Sequence, residues 1–195
     1  MNKTFLLVFT LLVLSGCDPK KNPVVDQPIA EEKAATFFPV TSFIKGQILT
    51  LDSLPITPLL ITTQKGNIDS TWIPAGKLRP YLVPFLEPEI DETNMQSFFQ
   101  ETRFNDQTLN SITFTYDPKR KLPDSLTLRH WDVYVNPEKG TVTKVYLVKN
   151  ISGENQRFTQ QLTWQTDKYA KILTILNKDS GDAELVKEET ILWSF

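Results

Sequence analysis

From Ser111 onward, runs with a period of two alternate with turn sequences, and this limits the fold more than any other feature of the chain. Ile112, Phe114 and Tyr116 alternate with Ser111, Thr113 and Thr115, and Phe158, Leu162 and Trp164 share a face with Gln160. Side chains two apart lie on one face of a strand, whereas a helix needs spacings of three and four, so the segment predicts half-buried strands. Strands are expected over 111–117, 125–135, 141–149, 156–165, 169–177 and 184–194. Asn136-Pro137-Glu138-Lys139-Gly140, Ser152-Gly153-Glu154-Asn155, Thr166-Asp167-Lys168 and Asp179-Ser180-Gly181-Asp182 separate the later ones. Links this short make neighbouring strands antiparallel, giving an up-and-down meander of about six. The apolar phase flips from even at Leu126 and Leu128 to odd at Trp131, Val133 and Val135, which predicts a β-bulge near Arg129-His130.

The segment before the meander reads differently. Val40, Ile44, Ile48 and Leu51 recur at helical spacing after a Thr41 or Ser42 cap, and Pro55 ends that helix. Residues 59–63 and 68–73 flank Lys65-Gly66-Asn67 as a hairpin. Pro80, Pro84 and Pro88 leave room only for isolated helical turns over 76–90. Thr93-Asn94-Met95-Gln96 matches a capping box, and Met95, Phe98, Phe99 and Thr102 predict a helix over 94–103. Glu87, Glu89, Asp91 and Glu92 just before it suit a helix N-terminus. The expected fold class is therefore α+β, with residues 37–195 as a single domain in which short N-terminal helices and a small hairpin pack on the meander.

Composition excludes several functions. The 195 residues carry 21 basic against 23 acidic side chains, a net charge of −2, with 40% hydrophobic residues. No basic stripe offers itself to nucleic acid, and Lys119, Arg120 and Lys121 lie between two prolines as a solvated turn. One cysteine allows no internal disulfide, no CxxC pair and no thiolate zinc site, and one histidine allows no multi-histidine metal site. The seven glycines form no phosphate loop, and no GxSxG elbow is present. No cofactor-binding or metal site is expected.

The lone cysteine has its own context. Lys3 precedes an apolar run over 5–14 broken only by Thr10. At about 1.5 Å per residue, that run spans about half of a hydrocarbon core about 30 Å thick, which is an export signal rather than a membrane span. Leu14-Ser15-Gly16-Cys17 follows, and it resembles the lipobox of bacterial lipoprotein precursors. The resemblance implies a diacylglyceryl thioether on Cys17, cleavage between Gly16 and Cys17, and a mature protein held at the cell envelope through its lipid. A single acyl chain binds membranes marginally, and two or three bind durably. Asp18 is similar to the residue that retains some lipoproteins at the inner membrane, so either membrane is open. Lys20 and Lys21, where surface-exported lipoproteins of some groups carry acids, favour a periplasm-facing protein. Cleavage would remove Lys3 and no acid, leaving 20 bases against 23 acids. Residues 17–36 then form a tether stiffened by Pro19, Pro23 and Pro28.

Only at the level of architecture, a curved antiparallel sheet carrying short helices is similar to cystatin-like folds and to the half-barrel of lipoprotein carriers. Function is read from sites, not from folds. His130 and Asp132 share a strand side, about 6–7 Å apart at Cα, and could orient a base. A polar, solvent-facing strand side accounts for the same two residues more simply. Trp131, Trp164, Trp193 and Phe195, joined by Tyr134, Tyr146 and Phe158, either fill the core of the sheet or wall a pocket. Two functions follow from these alternatives. One is an envelope binding or accessory module, acting through a protein partner or an apolar ligand. The other is an envelope hydrolase with His130 as its base.

Overall fold

The computed structural model describes residues 36–108, 110–153 and 156–193. The expected export signal, Cys17, most of the expected tether and Phe195 lie outside the described residues. The described residues form one compact unit.

Each alternating run of the C-terminal half becomes a strand. The chain builds α1 (Val40–Ser53), β1 (Leu59–Gln64), β2 (Asn67–Trp72), a 3-10 turn (Arg79–Leu82), α2 (Val83–Leu86) and β3 (Phe99–Asp106). It continues with β4 (Ser111–Pro118), β5 (Leu128–Asn136), β6 (Thr141–Ser152), β7 (Arg157–Gln165), β8 (Tyr169–Asn177) and β9 (Ala183–Leu192). All nine strands join one sheet in the order β2-β1-β9-β8-β7-β6-β5-β4-β3. Every pairing is antiparallel. The coarse expectation of an antiparallel sheet with few helices holds, but the sheet has nine strands instead of about six.

Two corrections account for the difference. The hairpin β1–β2 does not pack on the sheet; it extends it, with β1 paired to β9 from Leu59↔Leu192 to Gln64↔Lys187. Lys65 and Gly66 at φ +50° and +80° form the two-residue turn whose twist suits such a hairpin. The helix expected over 94–103 is absent. Asp91 Oδ1 accepts from the backbone of Thr93 and Asn94 at 2.7 Å each. Isolated turns follow, and the strand begins at Phe99. β4 offers an unpaired edge, and ring burial drives the choice: Phe99 is buried with its ring centroid 4.7 Å from that of Trp131. Tertiary pairing here overrides a marginal helical stripe.

The helix that does form has a different start from the one expected. Pro39 is its N-cap, without a side-chain cap bond. Thr41 instead turns inward, accepting from the Ile90 backbone N–H at 2.8 Å. The bulge expected near Arg129-His130 is present as a register shift between Leu128 and His130.

The bulge keeps Leu128, Trp131 and Val133 on one face, where cross-strand rows assemble the core. Tyr116, Trp131, Leu147, Leu162 and Ile172 stand opposite one another across β4 to β8. Onto this face pack Val40, Ile44 and Ile48 of α1, with Leu82, Phe85 and Leu86. Trp131 stacks on Tyr116 at 4.5 Å, and Trp164 meets Phe85 at 5.8 Å and Trp193 at 4.9 Å. Each such ring removes about 150–250 Å² from water, contributing about 4–6 kcal/mol before the entropy of ordering. Among the described residues no helix lies against the opposite face, which carries the more polar side of most strands.

Candidate functional site

Sequence and structure converge on one polar cluster of that open face. Strand alternation puts His130, Asp132 and Tyr134 there, and the β4–β5 register brings Thr115 opposite Asp132. Continued by two residues, the same register sets Asp117 beside His130. The imidazole lies between two carboxylates, with Nδ1 2.8 Å from Asp117 Oδ1 and Nε2 3.1 Å from Asp132 Oδ2. Thr115 Oγ1 donates to Asp132 Oδ1 at 2.7 Å, and Tyr134 Oη donates weakly to Asp132 Oδ2 at 3.4 Å. The Tyr146 ring stands 6.3 Å from the imidazole, and Lys144 Nζ covers the Tyr134 ring at 3.6 Å.

The electrostatics follow from this geometry. The Asp132 hydrogen bond raises the His130 pKa most; burial opposes it, Asp117 reinforces it, and the result is about 9. Burial pushes the Asp132 carboxyl up, but hydrogen bonds from His130 and Thr115 and the imidazolium charge bring it below the ordinary aspartate value. Burial and the Asp132 charge raise the Tyr134 and Tyr146 phenols. At neutral pH the imidazole is therefore a cation donating both N–H groups. A general base needs a free lone pair near its substrate's proton, and here both ring nitrogens face carboxylates. The Thr115 hydroxyl bonds Asp132, not the imidazole. Among the described residues, no group of three or more His, Cys, Asp or Glu side chains is placed to hold a metal ion.

The pair expected from sequence is thus brought together, with Asp117 added. Asp117 lies beyond the alternation that marks β5, so only the register between the two strands identifies it. The aromatic residues divide by face. Trp131, Trp164 and Trp193 are buried in the core, and Tyr134 and Tyr146 lie half-buried on the open face. Five clefts among the described residues are lined by other side chains than these, Phe158 or His130.

One chemically notable residue escaped sequence reasoning. Lys149 is 4% exposed on the core face, and its Nζ donates to the carbonyl oxygens of Pro84 and Glu87. Burial lowers its pKa to about 8, with partial opposition from Glu87. A helix of four residues between prolines leaves carbonyls without intrahelical donors, and the ammonium supplies what the backbone cannot. Position 149 is a core position of β6, and the only local signal is a lysine in phase with Val145 and Leu147. The acidic residues that precede β3 are similarly local in their work: Glu89 pairs with Lys45 at 3.0 Å, and Asp91 organises its turn. No known protein family, no curated protein and no solved structure matches the chain.

Proposed function

We propose that the chain is a lipid-anchored binding or accessory module of the bacterial cell envelope, facing the periplasm. The anchor is carried by one observation, Leu14-Ser15-Gly16-Cys17 directly after a short apolar run. A sulfur nucleophile preceded by small residues is what lipid transfer and cleavage require. The binding role is supported by the open sheet face, where strand tyrosines and a charge-paired cluster form a broad surface over which no helix of the described residues lies. Surfaces of that kind suit a protein partner or an extended ligand better than a reacting small molecule. The hydrolase reading has less support, since its only base is engaged on both ring nitrogens.

Membrane fractionation with labelled palmitate tests the anchor. Cys17→Ser is expected to abolish labelling and to release the protein from the membrane fraction. Unchanged labelling and membrane association in that variant would sink the reading.

A further inference from the structure

A separate cleft of about 700 Å³ opens where α1 meets the turns joining β5 to β6 and β7 to β8. We propose that it binds a neutral glycan of one or two sugar rings. Phe38 and Phe43, in edge contact at 5.6 Å, form its apolar wall. Gln47 lies one helical turn after Phe43, so the two project side by side into the cleft. Gln165 and Asn136 close the opposite side. Gln165 commits its Nε2 to the Thr143 carbonyl at 2.9 Å, which fixes the side chain and leaves Oε1 to accept. The Gln47 amide has no hydrogen-bond partner among the described residues. Thr166 lines the floor, and its hydroxyl is sealed from solvent without a partner. In the bound state that hydroxyl turns about χ1 to meet a sugar hydroxyl.

The chemistry selects the ligand class. A sugar ring has an apolar C–H face and a rim of hydroxyls that each donate and accept. Aromatic edges serve the first, and amides, which also donate and accept, serve the second. Lys139 and Asp167 are the only charged lining residues and cancel, so neither a phosphate nor a cation is favoured. The volume is within the usual range for small-molecule sites. This site is separate from the His130 cluster and does not depend on it.

Saturation-transfer NMR and titration calorimetry on the full chain, with maltose, cellobiose, lactose and chitobiose as probes, test the proposal. At least one disaccharide is expected to bind. Gln47→Ala and Thr166→Val should each weaken the tightest about fivefold or more, the loss of one hydrogen bond. Because the Thr166 hydroxyl has no partner among the described residues, Thr166→Val should leave the melting temperature within about 2 °C, whereas a merely structural residue would lower it. Gln161→Ala, on the open face, should leave binding unchanged. No saturation transfer from any probe at about 10 mM, or undiminished binding by both cleft variants, overturns the proposal. That result together with release by Cys17→Ser would remove the glycan site and leave the anchored module standing.

Discussion

His130 draws its stability contribution from two carboxylates, and their protonation defines a pH window. Its folded pKa, about 9, lies above the ordinary histidine value of 6.5. The imidazolium contribution is therefore complete below pH 6.5 and is lost as the pH rises through about 9. Asp132 is shifted down, so its contribution is complete above the ordinary 3.8 and is lost as the pH falls below it. The cluster stabilises most between these limits. His130→Gln is expected to lower unfolding free energy by about 1–2 kcal/mol at pH 6, with solvent access to Asp117 reducing the effect, and by much less at pH 10. Urea melts at both values check this; an equal loss at both would refute the charge pairing. Much of the cluster was legible as residues, since a strand puts His130 and Asp132 on one side. Asp117 was not, because it is 13 positions away and meets the imidazole only through strand pairing.

At the scale of the element, β2 is the telling case. It is exposed along its whole length, with Ile68 74% and Trp72 62% exposed, yet it forms one edge of the sheet. The Ile73 N–H donates to the Pro58 carbonyl, so in this antiparallel register residues 67, 69 and 71 turn their backbone groups to β1. Residues 68, 70 and 72 turn theirs outward, where another strand could pair. The Asp69 carboxylate accepts the outward Ser70 N–H at 2.9 Å and adds a charge at the edge. Asp69→Ala frees that donor and removes the charge. Sedimentation at rising concentration should then show dimers or larger species absent from the parent; a variant that stays as monomeric as the parent would rule out edge protection. The pattern of β2 was readable as a hairpin strand. Its place at an edge was not, because alternation says nothing of which strand lies beside which.

At the scale of the whole molecule, the two ends of the described unit meet. β9 lies between β8 and β1, so the N-terminal hairpin is held by the strand formed last in sequence. Truncation after Lys178 removes β9, leaves β1–β2 without a sheet and uncovers Ile172 and Ala170. The truncated chain is expected to lose its cooperative thermal transition by circular dichroism, as an isolated hairpin is marginal at best. Retention of a full cooperative melt would show that the hairpin and meander fold independently.

The sequence by itself determined the antiparallel strands from Ser111 onward, their turns, the bulge before His130 and the apolar face of α1. Period and turn chemistry are local, and each is written within about ten residues. The resemblance of Leu14-Ser15-Gly16-Cys17 to a lipobox, which carries the proposed anchor, is likewise wholly local. Tertiary structure alone decided that 99–106 is a strand, that the hairpin closes on β9, that Asp117 completes the imidazole pair and that Lys149 serves the carbonyls of Pro84 and Glu87. In each of these a group's partner lies far along the chain, and the free energy of pairing or of leaving a buried charge unpaired outweighs any local preference.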